Sequence, residues 1–448
     1  MQLEWVNHAS VVVGDRGVRL ISDPWLDGTA FDDGWGLLSE TAFPYERFET
    51  ITHLWFSHEH PDHFSPANIR AIPPEIRARI VVLFQKTFDR KIVSFCRAQG
   101  FADVIELRRR RWHELAPGFE VLCEPFPFGD SALLIRTPDT AIVNLNDCTI
   151  VNPRHAAELL KELGRPIDVL LSQFSYANWS GNPDEPEKRL QSAADKLECF
   201  RLHCEWLQPK VAIPFASYVW FCHRENTYMN LEMNGIADVR RFISERTSSR
   251  PLVLYPGELW EVGADHDDAA AVARYEADSA GVPSRPLVSS QAVATSDLIS
   301  AADQFLDRML GRPGSLARRA RARLHRLGPT AIWLADRAEA LAFCWETGLQ
   351  ESATSEANCD VSCSSGALAY AFRNLWGGDS MAINGRFSIP AGGMYQHWRA
   401  YTILASKINV YGSFANYVRV RSADVLRHPL WSARRLTQKA IGPDELIP

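Results

Sequence analysis

The feature that most constrains this chain is a run of metal-binding side chains at residues 58–63, with the sequence HEHPDH. The run follows directly on a short apolar stretch, residues 51–56, which has the length and composition of a buried β-strand. A strand that ends there opens into a tight turn and directs His58 and His60 to one side. Imidazoles suit zinc, copper or iron, and an added carboxylate favours a harder ion. The run therefore predicts a metal site at the end of a strand.

The four donors of this run, His58, His60, Asp62 and His63, stand within six residues of one another. One tetrahedral ion cannot readily accept all four from so short a loop, because the backbone cannot bring them to four corners at once. We therefore expect two ions side by side. The alternative is a polar surface loop in which the histidines have no joint role.

Size and composition set the broad class. A chain of 448 residues is comfortable for two domains, and 46% apolar with 23% charged residues is typical of a globular protein. The formal charge of −6 gives no indication of a nucleic-acid partner. We expect no integral membrane segment, because the sequence contains no apolar run of membrane-spanning length. The nine cysteines, an odd number without dense spacing, favour a reducing, cytoplasmic location.

The pattern His-x-His-x-Asp-His after an apolar strand resembles the signature of the metallo-β-lactamase-fold superfamily. Residues 7–13 (NHASVVV) and 20–25 (LISDPW) resemble the way in which chains of that superfamily begin. The resemblance covers about residues 1–262 and implies an α/β fold, the αββα sandwich, with a dinuclear metal site. It also implies that Asp23 lies beneath the metals and supports a ligand. The alternative for Asp23 is a turn residue at the end of a strand.

Many members of the superfamily carry a histidine ligand in the segment that follows the motif. Here no histidine occurs between His113 and His155, so Glu124 is the preferred candidate and Asp130 the less favoured one. A carboxylate in place of an imidazole shifts the preference from zinc toward iron or manganese. If Glu124 is only a loop acid, one of the two ions lacks this ligand.

Two later segments complete the implied ligand set. Asp147 ends an apolar stretch and fits the aspartate that bridges both ions in the superfamily; the alternative is a turn residue at the end of a strand. His223 follows another buried strand and is the natural last ligand, with His203, in the middle of a predicted helix, as its competitor. The expected set is His58, His60 and Glu124 on one ion, Asp62, His63 and His223 on the other, and Asp147 between them. Asp62 and Asp147 are the candidate catalytic residues.

Three further segments narrow the resemblance: residues 144–148 (NLNDC), residues 172–177 (SQFSYA), and residues 214–218 (PFASY) with the later His223. They look like the metallo-β-lactamase-fold part of the CMP-N-acetylneuraminate hydroxylase family, which also carries a Rieske iron–sulfur domain. This sequence contains no Cys-x-His with a matching Cys-x-x-His pair. If oxygen chemistry occurs, we therefore expect its electrons from an external donor or from the substrate.

Three functions use this expected site differently. In the first, two irons support an oxygenase that inserts oxygen into a C–H or N–H bond. In the second, two zinc or manganese ions activate water in a hydrolase of esters, thioesters or phosphodiesters, and Asp62 or a nearby acid shuttles the proton. The third is a catalytically inactive scaffold. The resemblance favours the oxygenase, acting on a small organic substrate that is free or bound to a carrier.

Composition shifts divide the chain into a metal domain over residues 1–265, a linker over 266–295 and a smaller accessory α+β domain over 296–448. In the accessory domain, residues 316–327 predict a basic amphipathic helix, and Asn384-Gly385 predicts a hairpin turn. In the metal domain, the aromatic residues within 25–50 either cover the mouth of the site or form a minor core.

Overall fold

Residues 10–22 form the antiparallel hairpin that their two apolar runs predict, and this hairpin lies at the centre of the first sheet. The protein is described by a computed structural model that covers residues 1–126, 129–311 and 329–411. Its contacts divide the chain into two units. The first comprises Met1–Ser180, Pro186–Cys222 and Met229–Leu287, and the second comprises Gly181–Glu185, His223–Tyr228 and the chain from Val288.

The first sheet of the first unit has seven strands in the order β17-β1-β2-β3-β6-β7-β8. Strands β3, β6, β7 and β8 run parallel, so their carboxyl ends meet at one edge. The strands are β1 (Gln2–Asn7), β2 (Ser10–Asp15), β3 (Val18–Ser22), β6 (His53–Phe56), β7 (Val81–Gln85), β8 (Asp103–Leu107) and β17 (Leu259–Glu261).

The second sheet also has seven strands, in the order β16-β14-β13-β12-β11-β10-β9. Here β12, β13 and β14 are parallel, whereas β9 to β12 form an antiparallel meander. The strands are β9 (His113–Ala116), β10 (Phe119–Pro125), β11 (Ser131–Arg136), β12 (Ala141–Asn146), β13 (Val169–Gln173), β14 (Val211–Phe215) and β16 (Arg250–Pro251). A small third sheet holds β4 (Thr29–Ala30), β5 (Trp35–Leu37) and β15 (Val219–Phe221).

Alternating side chains build the layers. Val11 and Val13 of β2 pack in the core between the two large sheets, whereas Val12 packs in a second core beneath the outer helices of the first sheet. The helices of this unit are α1 (Pro66–Ala71), α2 (Pro74–Arg77), α3 (Lys91–Ala98), α4 (Pro153–Leu163), α5 (Pro186–Leu207), α6 (Ile236–Arg246) and α7 (Ala269–Gly281). The arrangement is the αββα sandwich of the metallo-β-lactamase fold, so the predicted fold class is confirmed.

The second unit is a smaller α+β assembly, as predicted. Its five-stranded sheet has the order β20-β19-β18-β21-β22. The strands are β18 (Thr330–Leu334), β19 (Glu339–Cys344), β20 (Gly348–Ser352), β21 (Val361–Cys363) and β22 (Phe387–Ser388). The helices are α8 (Thr295–Leu310), α9 (Ser365–Arg373), α10 (Gly377–Asn384) and α11 (Tyr395–Tyr411). The predicted domain boundaries stay predictions, and the predicted basic helix over 316–327 lies outside the described residues.

The hairpin predicted at Asn384-Gly385 is wrong. Asn384 is the last residue of α10, and Gly385 takes a φ of 67° and ends that helix. Both motifs need a residue in the left-handed region, so the Asn-Gly pair marks either a hairpin or a helix end. The conformation of the preceding segment decides which motif forms, and here residues Gly377–Asn384 are helical, so the pair ends a helix. None of the helices in the described part of the chain is long and apolar enough to cross a bilayer.

Candidate metal centre

The histidine run stands where the sequence predicts it, directly after a buried parallel strand. Strand β6 ends at Phe56 and pairs with β3 and β7, and α1 begins at Pro66 with the Ser65 hydroxyl accepting from the backbone of Asn68. Between them the chain turns tightly, because the amides of His63 and Phe64 both donate to the carbonyl of His60. The strand end and the helix cap thus hold the loop that carries the donors.

Three overlapping groups of potential ligands surround this loop. His58 and His60 meet Asp130, His58 and His63 meet Asp147, and His8 meets Asp62 and His63. In each group one ligand atom per residue lies within 4.8 Å of the others. Because the groups share His58 and His63, they form one continuous cluster. We call it the donor cluster; its members are His8, His58, His60, Asp62, His63, Asp130 and Asp147.

The distances within the donor cluster are short. His63 Nε2 lies 3.1 Å from Asp62 Oδ2 and 3.2 Å from Asp147 Oδ2. His58 Nε2 lies 2.9 Å from His60 Nδ1, 3.7 Å from Asp147 Oδ2 and 3.8 Å from Asp130 Oδ1. Nitrogen and oxygen lone pairs therefore converge on two adjoining points, one beside His60 and one beside His63.

Several polar atoms of the donor cluster are buried without a hydrogen-bond partner. Within the described residues these are Asp62 Oδ1, His63 Nε2 and His8 Nδ1. Buried polar atoms are normally satisfied, so a group of orphans in one place calls for an explanation. Metal ions would satisfy Asp62 Oδ1 and His63 Nε2, and the mixed imidazole and carboxylate set has the chemistry to hold them. The residues present fit a dinuclear metal site.

The electrostatics of the donor cluster also suit cation binding. Burial, followed by the neighbouring His63, lowers the pKa of His58 to about 4, so its imidazole is neutral near pH 7. Burial opposes the charging of His63, but Asp62 and Asp147 together raise its pKa well above the ordinary value. Without a metal, His63 therefore carries a proton beside the two carboxylates, although its Nε2 does not have the geometry of a hydrogen bond to either of them. Metal binding at this nitrogen must release that proton.

Asp23 lies directly behind His63, where the resemblance implies a supporting residue. Its Oδ2 is 3.1 Å from His63 Nδ1, and its Oδ1 accepts from the amide of Ser57 at 2.7 Å. The side chain of Asn146 also donates to this carboxylate. All of these groups are buried. Asp23 therefore fixes the ring of His63 so that Nε2 faces the donor cluster, an arrangement typical of carboxylate–histidine–metal triads.

Asp130 reaches the donor cluster through a link between two loops. The hydroxyl of Ser131, at the start of β11, donates to the carbonyl of Ser57 at 2.6 Å. Gln85, at the end of β7, donates to the same carbonyl at 3.1 Å. The loop before β11 is thereby tied to the histidine loop, and Asp130 stands beside His58 and His60. The residue that the sequence ranked second for this position is the one that the fold brings there.

Glu124 occupies different surroundings. It is fully buried in β10 and accepts from Arg109 at 2.8 Å and from Arg110 at 3.2 Å, with His155 Nε2 3.3 Å away. Burial would raise the pKa of Glu124, but His155 and the two guanidinium groups lower it to about 2. Its carboxylate is therefore engaged in a hydrogen-bonded ion-pair network, and Glu124 does not belong to the donor cluster.

His223 and His203, the two histidines weighed for the last ligand position, are also placed by the structure. His223 belongs to the second unit, where its Nε2 lies 3.2 Å from Ser290 Oγ. His203 is buried in α5, and its Nε2 accepts from the amide of Ile150 at 3.0 Å. Its Nδ1 must then carry the proton that it shares with Ser172 Oγ at 3.0 Å. His203 is a packed, satisfied histidine, as the sequence favours.

His8 is the member of the donor cluster that the sequence did not propose as a ligand. It lies in the turn between β1 and β2 with a φ of 35°, and its Nε2 is 3.2 Å from Asp62 Oδ2. The sequence feature that could have identified His8 is its position in the NHAS segment, which carries part of the superfamily resemblance. Its distance of 54 residues from Asp62 gave no reason to pair the two before the sheet was known.

The aromatic residues within 25–50 are buried, apart from the half-buried Tyr45. Phe31 and Trp35 are each 2% exposed, and their rings stack edge to face at a centroid distance of 4.7 Å. Phe31 also packs edge to face against His60 at 5.6 Å. The segment is therefore a minor core, and one face of it supports a residue of the donor cluster.

Comparison with known proteins agrees with this fold. Residues 2–171 match the family model described as a beta-lactamase superfamily domain. This part of the chain is a metallo-β-lactamase superfamily domain, as the histidine motif implies.

The chain is also similar to curated proteins of a narrower group. The chain is 23% identical over 277 residues to the cytidine monophosphate-N-acetylneuraminic acid hydroxylase of Xenopus laevis, a match that covers 59% of this chain and 46% of that protein. It is 26% identical over 196 residues to a putative Rieske 2Fe-2S iron-sulfur protein of Mycolicibacterium smegmatis, covering 40% of this chain and 35% of that protein. The chain thus spans less than half the length of these two relatives.

Solved structures with a similar fold include enzymes of two kinds. The diiron β-hydroxylase CmlA of Streptomyces venezuelae matches with a TM-score of 0.40 and 19% identity, over 56% of this chain and 52% of that one. An isothiocyanate hydrolase from Delia radicum gut bacteria matches with a TM-score of 0.42 and 16% identity, over 58% of this chain and 98% of that one. Likeness at this level leaves the reaction open.

Proposed function

We propose that this chain is a dinuclear metal enzyme that oxygenates a small organic substrate with the help of two irons. The observation that carries the proposal is the position of Asp130, whose Oδ1 lies 3.8 Å from His58 Nε2 in a group that includes His60. A carboxylate beside these two imidazoles gives the first metal position an oxygen ligand. Such a position favours iron or manganese over zinc.

The second metal position is also rich in oxygen. Asp62 and Asp147 both direct an oxygen toward His63 Nε2, at 3.1 and 3.2 Å. The donor cluster therefore offers three carboxylates for two ions. Two irons held by this set would supply the redox chemistry that oxygenation of an unactivated bond requires.

The side chains of the donor cluster differ in their access to solvent. Those of Asp130 and Asp147 are 21% and 20% exposed, whereas those of His58, Asp62 and His63 are at most 3% exposed. We infer that the substrate approaches from the side of these two aspartates. Phe31, which is 2% exposed, covers one side of the His60 ring by packing on it edge to face.

Oxygenation with O2 also requires two electrons beyond those that the substrate bond supplies. In this proposal they come from a separate electron donor, or from the substrate itself. The curated relatives named as hydroxylases and as Rieske proteins support the redox assignment. The substrate class remains the general one, a small organic molecule that is free or bound to a carrier.

A metal-dependent hydrolase is the second candidate, and His8 is the observation that favours it. With His8 the donor cluster contains four imidazoles, which is a nitrogen-rich set that suits zinc. Zinc held there would lower the pKa of a bound water molecule and prepare it for attack on a carbonyl or phosphoryl group. The inactive scaffold of the sequence analysis is disfavoured, because the donor cluster has no gap at His58, His60, Asp62 or His63.

Metal content decides between these candidates. The protein is expressed in medium supplemented with both iron and zinc, and its metals are measured by plasma mass spectrometry beside an absorption spectrum. The proposal expects about two irons per chain and a near-ultraviolet band that bleaches on reduction and returns in air. Two zincs and no such band would support the hydrolase instead.

A variant pair controls the measurement. His60→Ala removes one donor of the cluster and is expected to lose most of the bound metal and all activity. His113→Ala removes a histidine outside the donor cluster and is expected to keep both. Full metal content in His60→Ala would contradict the assigned site, and no metal in the wild-type protein would leave only the scaffold.

A further inference from the structure

Asp147 divides its two carboxylate oxygens between two neighbours. Its Oδ2 faces the histidines, 3.2 Å from His63 Nε2 and 3.7 Å from His58 Nε2. Its Oδ1 faces away from them and accepts a hydrogen bond from Gln173 Nε2 at 3.1 Å. The orientation of the carboxylate is therefore set by a residue outside the donor cluster.

Gln173 is placed for this contact by the second sheet. It is the last residue of β13, which runs parallel to β12, and Asp147 follows the end of β12. Both side chains thus emerge at the carboxyl ends of adjacent parallel strands. The amide of Gln173 is 8% exposed and also donates to the carbonyl of Ala216 at 3.3 Å.

Lys196 fixes which way this amide points. Its Nζ donates to Gln173 Oε1 at 2.8 Å from the middle of α5. The amide oxygen of Gln173 faces the ammonium of Lys196, and its nitrogen faces two acceptors, Asp147 and Ala216. If the amide were flipped, its NH2 would face the ammonium and its oxygen would face the carboxylate, and both contacts would be repulsive. The ammonium therefore locks the amide in the orientation that donates to Asp147.

A buried lysine needs a reason to be charged. Lys196 is 9% exposed, and in the part of the chain that the structure describes it makes this hydrogen bond and no ion pair. Burial lowers its pKa, while the carboxylates of Asp147 and Asp130 oppose that change. An apolar side chain would fill the same space without a desolvation cost, so the hydrogen bond to Gln173 and the attraction of the two carboxylates together account for a lysine here.

We propose that Gln173 and Lys196 are positioning residues for the metal site, with Gln173 holding Asp147 Oδ1 so that Oδ2 faces the ions and Lys196 holding the Gln173 amide. This inference rests on the proposed dinuclear site and goes beyond it by assigning two residues that contact no metal. Residues that orient metal ligands typically contribute about 10-fold to 100-fold in metal affinity.

The test measures metal affinity of the metal-free protein by competition with a chelator, using cobalt(II) as the probe, beside the melting temperature of the same metal-free samples. Gln173→Glu keeps the acceptor for Lys196 but cannot donate to Asp147, and it adds a like charge beside that carboxylate. Because it also loses the donation to Ala216, the melting temperature of the metal-free protein is expected to fall slightly, whereas cobalt is expected to bind about 10-fold to 100-fold more weakly. If Gln173 had only a structural role, the melting temperature would fall and the cobalt affinity of the folded protein would not.

Lys196→Met provides a second variant on a different element. It removes the donor while nearly conserving length, so the Gln173 amide loses its lock, and cobalt affinity is expected to fall in the same direction by a smaller factor. Lys188→Met, on an exposed position of the same helix, is the matched control and is expected to bind as the wild type does. Because Gln173 and Lys196 lie on different elements, either variant can test the positioning role if the other variant does not fold.

The outcomes separate the two proposals. Wild-type affinity in both Gln173→Glu and Lys196→Met, with two equivalents bound, would overturn the positioning role alone. A wild-type protein that binds no cobalt would overturn the proposed metal site, and the positioning role with it.

Discussion

The carboxylate of Asp23 accepts from the ring of His63, with 3.1 Å between Oδ2 and Nδ1, and neither side chain is exposed to solvent. This contact decides which nitrogen of His63 is available to a metal. Because Nδ1 is the donor to Asp23, Nε2 is directed at Asp62 and Asp147. A residue that is 40 positions away in the sequence thus sets the chemistry of a residue in the motif.

Asp23→Asn is expected to weaken metal binding about 10-fold to 100-fold, because the amide no longer holds the imidazole in this tautomer as a carboxylate does. Chelator competition on the metal-free protein measures the change. Asp139→Asn makes the same substitution at a side chain that is 83% exposed, and it is expected to have no effect. Equal affinities for the two variants would show that Asp23 does not support the site.

Substitution of Asp130 is expected to change the metal content, whereas substitution of Glu124 is expected to change the stability. Asp130→Asn should reduce the metal content toward one ion per chain with little loss of stability. Glu124→Gln should keep the metal content but lower the free energy of unfolding by about 1–3 kcal/mol, because a buried acceptor of two arginines is altered. Metal analysis and denaturant unfolding measure the two effects.

Glu158→Gln is the matched control for Glu124, since Glu158 also pairs with Arg110 but its side chain is 54% exposed. An exposed ion pair contributes about 0–1 kcal/mol, so this variant should be nearly as stable as the wild type. If Glu124→Gln instead loses one metal ion and Asp130→Asn keeps both, the sequence-based choice of Glu124 as the ligand is the correct one.

His203 should make the stability of the metal-free protein depend on pH. Burial, and secondarily the charge of Lys196, lower the pKa of His203 to about 3 from an ordinary value of 6.5. The unfolded chain therefore binds the proton first as the pH falls. The stability that the neutral imidazole provides is present in full above pH 6.5 and is lost progressively between pH 6.5 and pH 3.

His203→Gln removes this titration. The variant is expected to be less stable than the wild type at pH 8 by about 1–2 kcal/mol, because the hydrogen bonds to Ile150 and Ser172 are altered. The difference should shrink as the pH falls below 6.5, since only the wild type loses the contribution of this residue. Urea unfolding of both proteins at pH 8, 6 and 5 measures it, and a constant difference would contradict the assignment.

Phe31→Ala is expected to destabilise the protein by about 3–5 kcal/mol, because a fully packed ring leaves a cavity beside His60 and Trp35. Metal affinity should fall as well, since His60 loses the support of that ring. Phe88→Ala, at a side chain that is 50% exposed, should change stability by about 0.5 kcal/mol or less. Thermal unfolding of the metal-free variants tests both expectations.

Local features of the site could be predicted from the sequence. An apolar strand followed by HEHPDH fixes four donors within one short turn, because the backbone of six residues leaves little choice of geometry. In the same way, the apolar segment before Asp147 identifies a strand end, and adjacent parallel strands place their carboxyl ends together. These inferences depend on neighbours in the chain, whereas the fold class is what the resemblance of the motif to the metallo-β-lactamase superfamily implies.

The choice between Glu124 and Asp130 could not be made from the sequence. Successive side chains of a strand point to opposite faces, and only the pairing of β10 with β11 shows which face Glu124 takes. That pairing turns it toward Arg109, Arg110 and His155, and the link from Ser131 to Ser57 brings Asp130 to the histidines. No spacing rule contains this information, since it resides in contacts between separate loops.

His8 and Gln173 show the same limit. His8 joins the donor cluster because the turn between β1 and β2 lies at the same edge of the first sheet as the carboxyl end of β6. Gln173 meets Asp147 because two parallel strands end side by side. The sequence by itself determined the turn that carries four donors, and its resemblance to the metallo-β-lactamase superfamily indicated the sandwich of sheets and helices. Only the tertiary structure decided which distant side chains complete the site, because strand pairing and loop contacts join residues that are far apart in the chain.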